Sequence, residues 1–563
     1  MPTIPAIWSV FRADTFPGSF VSGHASAGGF TMNQRDHSWS HMEPVSLGAF
    51  KGRQPNFCTK APALDPLESS ILSFVEFSKP HGKALLALVI GLLFCLQIME
   101  SFCKDESRVG IGMQITNVEE SNNFTAARSI QKKIGAFLVG GSSFDAWLTT
   151  TTAQVAQVLL TLPHTIAQMG ITSGIIFQLL YGALGCWSCY ITMCLYMDYV
   201  KILERHNTRR KSHIIQWYEV LNGLLGRWWR APGLLFNCAL LVSTATIQLI
   251  ACANTIWYMN NSLDKRTWTF IFGALCFLTV LIPTARNYRL WVFFGIFMTT
   301  YTAWYFTIAS IFFEKHDKHV QHSAPVSTIQ YFSGATNILF TFGNHALTLE
   351  IAEAMDTPRK YKTTNVYAIL YTFTLTLPSA VSVYWRFGDQ MLDHPNALAV
   401  FSPSKFKNVA IILMLTHQFI EFAALVVPVF AMWEKLLGIH CSQNYTLKCV
   451  ARMPIVLGIC FLAIMLPFFG SINSVVGATL SSIGIYILPC LAFMVIRQHK
   501  ESRENAVEQP PFWIKSWVGV YCINLGLVIW VGIIGIGFGS WASMHNLMHK
   551  VEKFGWFAKC FQC

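Results

Sequence analysis

Inside the long apolar runs of this sequence stand five side chains that can take up or release a proton. They are His164, His345 and His417 and the carboxylates Glu350 and Glu421, with Glu353 at the margin of a run. An ionisable group in hydrocarbon is costly to keep, so its default reading is functional. Histidine titrates near physiological pH, which suits a proton carrier. His417 and Glu421 are four residues apart and share one helix face, and His345 lies five residues before Glu350. The chemistry open to such a set is proton transfer and recognition of a charged solute. The plainer alternatives are interhelical hydrogen bonds for the three histidines and a cap on freed backbone amides for Glu350. Gln248 and Asn254 either line a pocket or join helices, and Phe340, Phe342 and Phe419 are either pocket walls or ordinary packing. No P-loop, H-E-x-x-H, G-x-S-x-G or dinucleotide fingerprint occurs in a plausible setting, so nothing supports an enzyme or a bound cofactor. The C-x-x-C pairs Cys186/Cys189 and Cys560/Cys563 lack the second ligand pair that zinc needs.

The elements that must position these groups are membrane helices. Of 563 residues, 53% are hydrophobic and 12% charged, about half the charge of an ordinary soluble domain. From residue 135 onward eleven apolar stretches of spanning length recur, near 145–169, 172–197, 231–258, 267–284, 290–313, 328–355, 364–385, 408–433, 454–470, 472–496 and 516–541. Backbone groups in hydrocarbon must be paired internally, so each is expected to be helical. Nineteen Lys and Arg residues fall in one set of alternate loops and ten in the other, the C-terminal end included. The positive-inside rule then puts the start of the first span in the cytoplasm and the C-terminus outside. This basic excess speaks of orientation and lipid, not of nucleic acid. Residues 1–134 read as a polar, disordered extension with a short apolar run at 84–99, residues 135–545 as the membrane core, and 546–563 as an extracellular tail.

Two spans carry interruptions. In the first, Pro163 follows Gln154, Gln157 and Leu162 and precedes His164; it cannot donate a backbone hydrogen bond and disfavours helix at Leu162, so a break is expected there. In the sixth, Phe340-Thr341-Phe342-Gly343-Asn344-His345-Ala346 sets a glycine and two polar residues at mid-span. Such breaks persist at membrane depth only where they line a cavity or are buried in protein. They stand five spans apart, and five is odd, so a second five-helix unit starts on the opposite side of the membrane. Interrupted segments at corresponding positions of inverted halves point to a transporter's midplane site. The expected fold is an all-α integral membrane protein of about eleven helices, five plus five in inverted repeat, with helices 1 and 6 broken and the eleventh appended.

Residues 135–563 resemble, nearly end to end, the plant auxin influx carriers (the AUX/LAX family) among the amino acid/auxin permeases. The resemblance rests on QVAQVLLTLP at 154–163, HIIQWYEVLNGLLG at 213–226, DKRTW at 264–268, TTYTAWYFTIAS at 299–310, GATNILFTF at 334–342 and ENAVEQPP at 504–511. It implies import of indole-3-acetate with protons across the plasma membrane by alternating access, substrate lying between helices 1, 3, 6, 8 and 10. The family's Gly-Gly-His-Ala motif falls on Gly343 to Ala346, which makes His345 the carboxylate-binding and proton-linked residue. The expected binding set is Thr341, Phe342, Gly343, Asn344 and His345 with Gln154, Gln157, Pro163, His164, Gln248, Asn254 and His417. The expected proton-coupling set is His345, Glu350, His417 and Glu421. The sequence departs from the family pattern near the expected pocket: Asn344 replaces a glycine, His164 a tyrosine and Glu421 a threonine, and Asn254-Thr255 stand where Ser-Asn is usual. A neutral or aromatic amino acid symporter, whose substrate brings an ammonium for Glu421, and an auxin-binding transceptor with little flux are the alternatives.

Overall fold

Nothing but helix, turn and loop occurs among the described residues, as hydrocarbon requires of a chain with this composition. The computed structural model describes residues 141–155, 157–207, 214–281, 289–314, 320–440 and 442–559, with only the backbone of residues 289, 290, 344 and 345. The expectations for residues 1–134, for the run at 84–99 and for the Cys560/Cys563 pair lie outside them.

The helices are α1 (Ser143–Val155), α2 (Val158–Met169), α3 (Ile171–Arg205), α4 (Trp217–Leu225), α5 (Arg227–Trp257) and α6 (Lys265–Cys276). After them come α7 (Arg289–Ile308), α8 (Thr328–Thr341), α9 (Thr348–Glu353), α10 (Tyr361–Phe387), α11 (Lys405–Leu436) and α12 (Tyr445–Met465). The last three are α13 (Phe469–Ile496), α14 (Lys500–Glu504) and α15 (Trp517–Phe554). Eight of the described helices are long and apolar enough to cross a membrane: α3, α5, α7 with its extension to Phe313, α10, α11, α12, α13 and α15. The chain is therefore a multi-pass membrane protein. The three expected spans that fall short of this standard are the two split ones and α6, which tightens after Cys276 into a 3₁₀ turn, Phe277–Leu281.

The first interruption lies upstream of its expected place. Helix α1 stops at Val155, α2 starts at Val158, and Pro163 sits inside α2. Pro163 removes only the amide that would meet the Leu159 carbonyl inside α2, and the helix runs on through it to Met169, so the break lies upstream of the proline's reach. The second interruption coincides with the polar segment read from the sequence. Helix α8 begins on Ser327, whose hydroxyl accepts from the Gln330 amide, and ends at Thr341; Phe342 and Gly343 turn, and one 3₁₀ turn, Asn344–Leu347, leads into α9.

The final helix corrects a boundary. The last span was expected to end near 541 with a tail from 546, yet α15 continues to Phe554, with Lys550 and Lys553 on its last turns. Hydropathy falls after Trp541 because the helix becomes two-faced: Ala542, Ser543, Leu547 and Val551 are buried while His545 and His549 are exposed. What stops it is Gly555, at φ +80°, whose amide caps the Val551 carbonyl.

Helices α12 and α15 keep much of their surface outward, exposing Val450, Leu457, Phe461, Leu525, Ile529 and Ile533, a face suited to lipid. Two buried arginines meet carboxylates: Arg452 reaches Glu434 at 2.6 Å, and Arg497 pairs with Asp198. The interior is packed closely where helices cross. A Cβ on Gly477 of α13 would stand 2.2 Å from the Thr336 carbonyl oxygen of α8, so only glycine permits this crossing.

Candidate functional site

The two interruptions face one cavity. Ala153, Gln154, Gln157 and Val158 wall it from either side of the first break, and Phe340, Thr341, Gly343 and Ala346 from either side of the second. Leu240, Leu241 and Thr244 of α5 and Leu425 of α11 close it. Its volume is about 20 Å³, room for a single water molecule, so admission of a larger solute requires the surrounding helices to move. No Lys or Arg is among its described lining residues.

Local hydrogen bonds explain why the walls hold their shape. Gln248 of α5 donates from its amide nitrogen to the Gln157 side-chain oxygen, which ties α5 to the first break. The Gln154 oxygen accepts from the Thr372 hydroxyl of α10 at 3.2 Å, leaving the Gln154 nitrogen without a partner among the described residues. Asn337 of α8 donates to Thr165 of α2 at 2.5 Å and so joins the two interrupted spans. The Thr341 hydroxyl is turned back onto the Asn337 carbonyl at 3.0 Å. At Gly343 a Cβ would stand 3.3 Å from both the Leu339 carbonyl oxygen and Ser481 Cβ, so the break is packed against α13.

The expected residues divide. Gln154, Gln157, Thr341 and Gly343 line the cavity, and Gln248 supports it through Gln157. Asn344 and His345 fall within the second break, and their side chains lie outside what is described. Phe342 packs instead on Phe373, ring centroids 5.3 Å apart. Pro163 is buried within α2. His164 donates from Nδ1 to the Met391 carbonyl at 2.6 Å, and Asn254 donates to the Ile250 carbonyl of its own helix at 3.0 Å, so neither lines the cavity.

The expected proton carriers are spread more widely. Glu350 lies on α9, beyond the second break, with Oε1 unpartnered among the described residues. His417 is fully buried, and neither ring nitrogen has a hydrogen-bond partner among the described residues; its Nδ1 is 3.2 Å from where a Cβ on Gly295 of α7 would stand. Glu421, one turn further along α11, is 3% exposed. One turn beyond it comes Leu425 of the cavity wall.

Sequence reasoning missed Thr244, Leu425 and Ser481. Thr244 and Leu425 were within reach, because each stands one helical turn from a residue already singled out, Gln248 and Glu421. Ser481 had no such signal. Its hydroxyl is buried and has no partner among the described residues, and it lies beside Gly343 in the wide π-helical stretch Gly477–Ile487 of α13. Wide turns of this kind recur at functional sites because they displace side chains from the regular helical register.

Residues 140–534 match the family described as transmembrane amino acid transporter protein. The fold is shared with MhsT, solved in complex with L-phenylalanine, at a TM-score of 0.52 and 11% identity over 70% of this chain and 98% of that one. A bundle of membrane helices with two interruptions around a small cavity, matched by that family over most of its length, thus defines a transmembrane transporter of the amino acid transporter class. Within that class the chain belongs to the plant auxin transporter family. It is 52% identical to auxin transporter-like protein 1 of Arabidopsis thaliana over 75% of this chain and 87% of that protein. Identity is 51% both to auxin transporter protein 1 of Arabidopsis thaliana, over 75% and 87%, and to auxin transporter-like protein 3 of Oryza sativa subsp. japonica, over 79% and 81%.

Proposed function

We propose that this chain imports indole-3-acetate together with protons across the plasma membrane by alternating access. The observation that carries the reading is the cavity between two interrupted helices, largely apolar but with Gln154, Gln157, Thr244 and Thr341 in its walls and no Lys or Arg among its described lining residues. A carboxylate solute is then met by helix ends at the breaks and by His345, whose backbone belongs to the second break. His345, His417, Glu421 and Glu350 are the proton-carrying groups of this reading. The eleven-span count, with spans 1–5 and 6–10 in inverted repeat, follows if α1 with α2, α6 with its 3₁₀ turn, and α8 with α9 each cross once. The start of α1 is then cytoplasmic and the end of α15 extracellular.

Energetics favour coupling to more than one proton. An anion entering an interior-negative cell climbs roughly 2.3 kcal/mol per charge per 100 mV, so one proton cancels that charge and two make the step electrically downhill. Uptake of labelled indole-3-acetate in oocytes, acid-stimulated and accompanied by inward current under voltage clamp, is expected. Uptake without inward current would remove the two-proton coupling. His345→Ala is expected to abolish uptake while surface abundance stays unchanged; retained uptake with the parental pH profile would make that histidine structural.

A proton symporter for neutral or aromatic amino acids is the second reading, favoured by Glu421. This buried carboxylate has no ion-pair or hydrogen-bond partner among the described residues and lies one turn from Leu425, so an ammonium-bearing solute would supply its missing counterion. Tryptophan uptake without auxin uptake in the same oocytes would select it.

A further inference from the structure

A second cavity, again of about 20 Å³, adjoins the first, and Leu240 and Ala346 belong to the walls of both. Its offset has one direction on two helices. On α5 the wall shifts from Leu240, Leu241 and Thr244 to Phe236, Asn237 and Leu240, closer to the helix start. Across the second break it shifts from Phe340, Thr341, Gly343 and Ala346 to Ala346 and Leu349. Both displacements run toward the end of the bundle where α3 stops and α4 begins, the cytoplasmic end in the orientation proposed above. Trp217, the first residue of α4, stands in the wall on that side, and its Nε1 is buried with no hydrogen-bond partner among the described residues. A buried donor left over in this way is a reason to look for an acceptor that arrives from elsewhere. The Asn237 amide nitrogen faces the Met432 sulfur, a weak acceptor, at 3.9 Å.

We propose that this second cavity is the cytoplasmic stage of the solute's path, where an indole-bearing carboxylate passes between α4 and α9 and takes the Trp217 indole N–H as a donor. The proposal rests on the transport reading above but not on the choice of solute, since indole-3-acetate and tryptophan share the ring and the carboxylate. Trp217 and Asn237 offer neutral N–H donors to carboxylate oxygens, and the rings of Trp217 and Phe236 with Leu349 offer a face to the indole. No Lys or Arg is among the described lining residues, so the carboxylate meets dipoles and not a fixed cation. Hydrogen bonds between neutral donors and an anion are weaker than a charge-to-charge pair, which suits a stage the solute must leave. One wall is fixed. The Gln216 amide donates to Glu219 Oε2 at 3.0 Å, Lys435 of α11 meets Glu219 Oε1 at 3.2 Å, and Lys435 Nζ also donates to the Ile214 carbonyl at 3.2 Å. A Cβ on Gly233 of α5 would stand 3.3 Å from Tyr218 Cα, so α4 also lies close against α5. These ties give the stretch at 213–226 a task, holding Trp217 in place. The wall that yields is then α9, six residues long and joined to α8 through the second break.

The test uses the full chain in oocytes, with labelled indole-3-acetate and labelled tryptophan each supplied outside for uptake or injected for efflux. Trp217→Phe keeps a ring in the wall and deletes the N–H. It is expected to raise the half-saturating cytoplasmic concentration for efflux about tenfold or more, while that for uptake keeps its parental value. A purely structural loss would move both sides alike, so equal shifts, or none, would overturn the proposal. The second measurement needs no variant: membranes holding the parent chain are irradiated with 5-azidoindole-3-acetate and the adducts are mapped. Adducts on Trp217 or Phe236 beside those in the first cavity are expected, and adducts confined to the first cavity or to other parts of the chain would overturn the path. A parent that carries neither solute would remove the transport reading and this path with it, whereas a parent that carries one while Trp217→Phe changes nothing would remove the path alone.

Discussion

Gly477→Ala tests the crossing that holds two walls of the cavity together. The new methyl would lie 2.2 Å from the Thr336 carbonyl oxygen and 2.9 Å from Phe340 Cβ. Real Cβ atoms essentially never approach closer than 3.0 Å, and 2.2 Å falls short of that by 0.8 Å. The nearest obstacle is backbone, so no rotamer relieves it, and α8 and α13 must separate. Overpacking of this kind costs about 1–3 kcal/mol, or about 5- to 150-fold in the folded-to-unfolded ratio. Because Phe340 lines the cavity, uptake should fall with stability. The assay is thermal unfolding of the purified protein beside uptake in oocytes at equal surface abundance. Gly526→Ala and Gly532→Ala are the controls, since a Cβ at either meets nothing within 4 Å, and both should behave as the parent. A Gly477→Ala protein as stable and as active as these controls would refute the claim that close helix approach sets the cavity.

Gln248→Leu should cost about 1–3 kcal/mol in thermal unfolding, because it strips the Gln157 oxygen of its donor inside the protein, whereas adding Gln157→Leu should restore stability but not uptake. A cycle in which the two substitutions are simply additive would deny the link between α5 and the first break. Burial disfavours the charge on Glu508, but hydrogen bonds from Lys362 and Arg359 outweigh it and hold the carboxyl below its ordinary value. A group lowered in the folded state stabilises fully above its unfolded value and loses that contribution as pH falls through the folded one. Glu508→Gln should therefore destabilise by a constant amount from pH 7 down to about pH 5, the difference vanishing only below the ordinary carboxylate range, near pH 4. A difference that shrank between pH 7 and pH 6 would show that the pair does not hold this carboxyl down.

Much of the architecture was legible because hydrocarbon imposes one rule on every span. A long apolar run must be a helix, so the positions of α3, α5, α10, α11 and α13 could be read directly from composition. The second interruption was legible for the same reason: Gly343, Asn344 and His345 stand where an unbroken apolar helix would not place them. The first was misplaced because α2 tolerates Pro163 inside it, and the sequence alone does not say on which turn the helix gives way. The end of α15 was missed because hydropathy reports burial in lipid, while its last turns hold on through Ser543, whose hydroxyl meets Thr336 at 3.0 Å, and through the cap at Gly555.

The sequence by itself determined that this is a multi-pass helical membrane protein and that polar and protonatable groups stand inside its spans, and its motifs carried it into its family. Tertiary structure alone decided which of those groups meet. Gln157 pairs with Gln248 from a helix far along the chain, His164 turns to Met391 instead of the cavity, and Ser481 joins Gly343 through a π-helical stretch that no periodicity announces. The reason is physical. Composition and period fix what a segment must be when its surroundings are uniform, as lipid is, but a polar side chain inside a bundle takes whichever partner the helix crossings bring within about 3 Å. Those crossings are set by small residues such as Gly477, whose consequence lies on another helix.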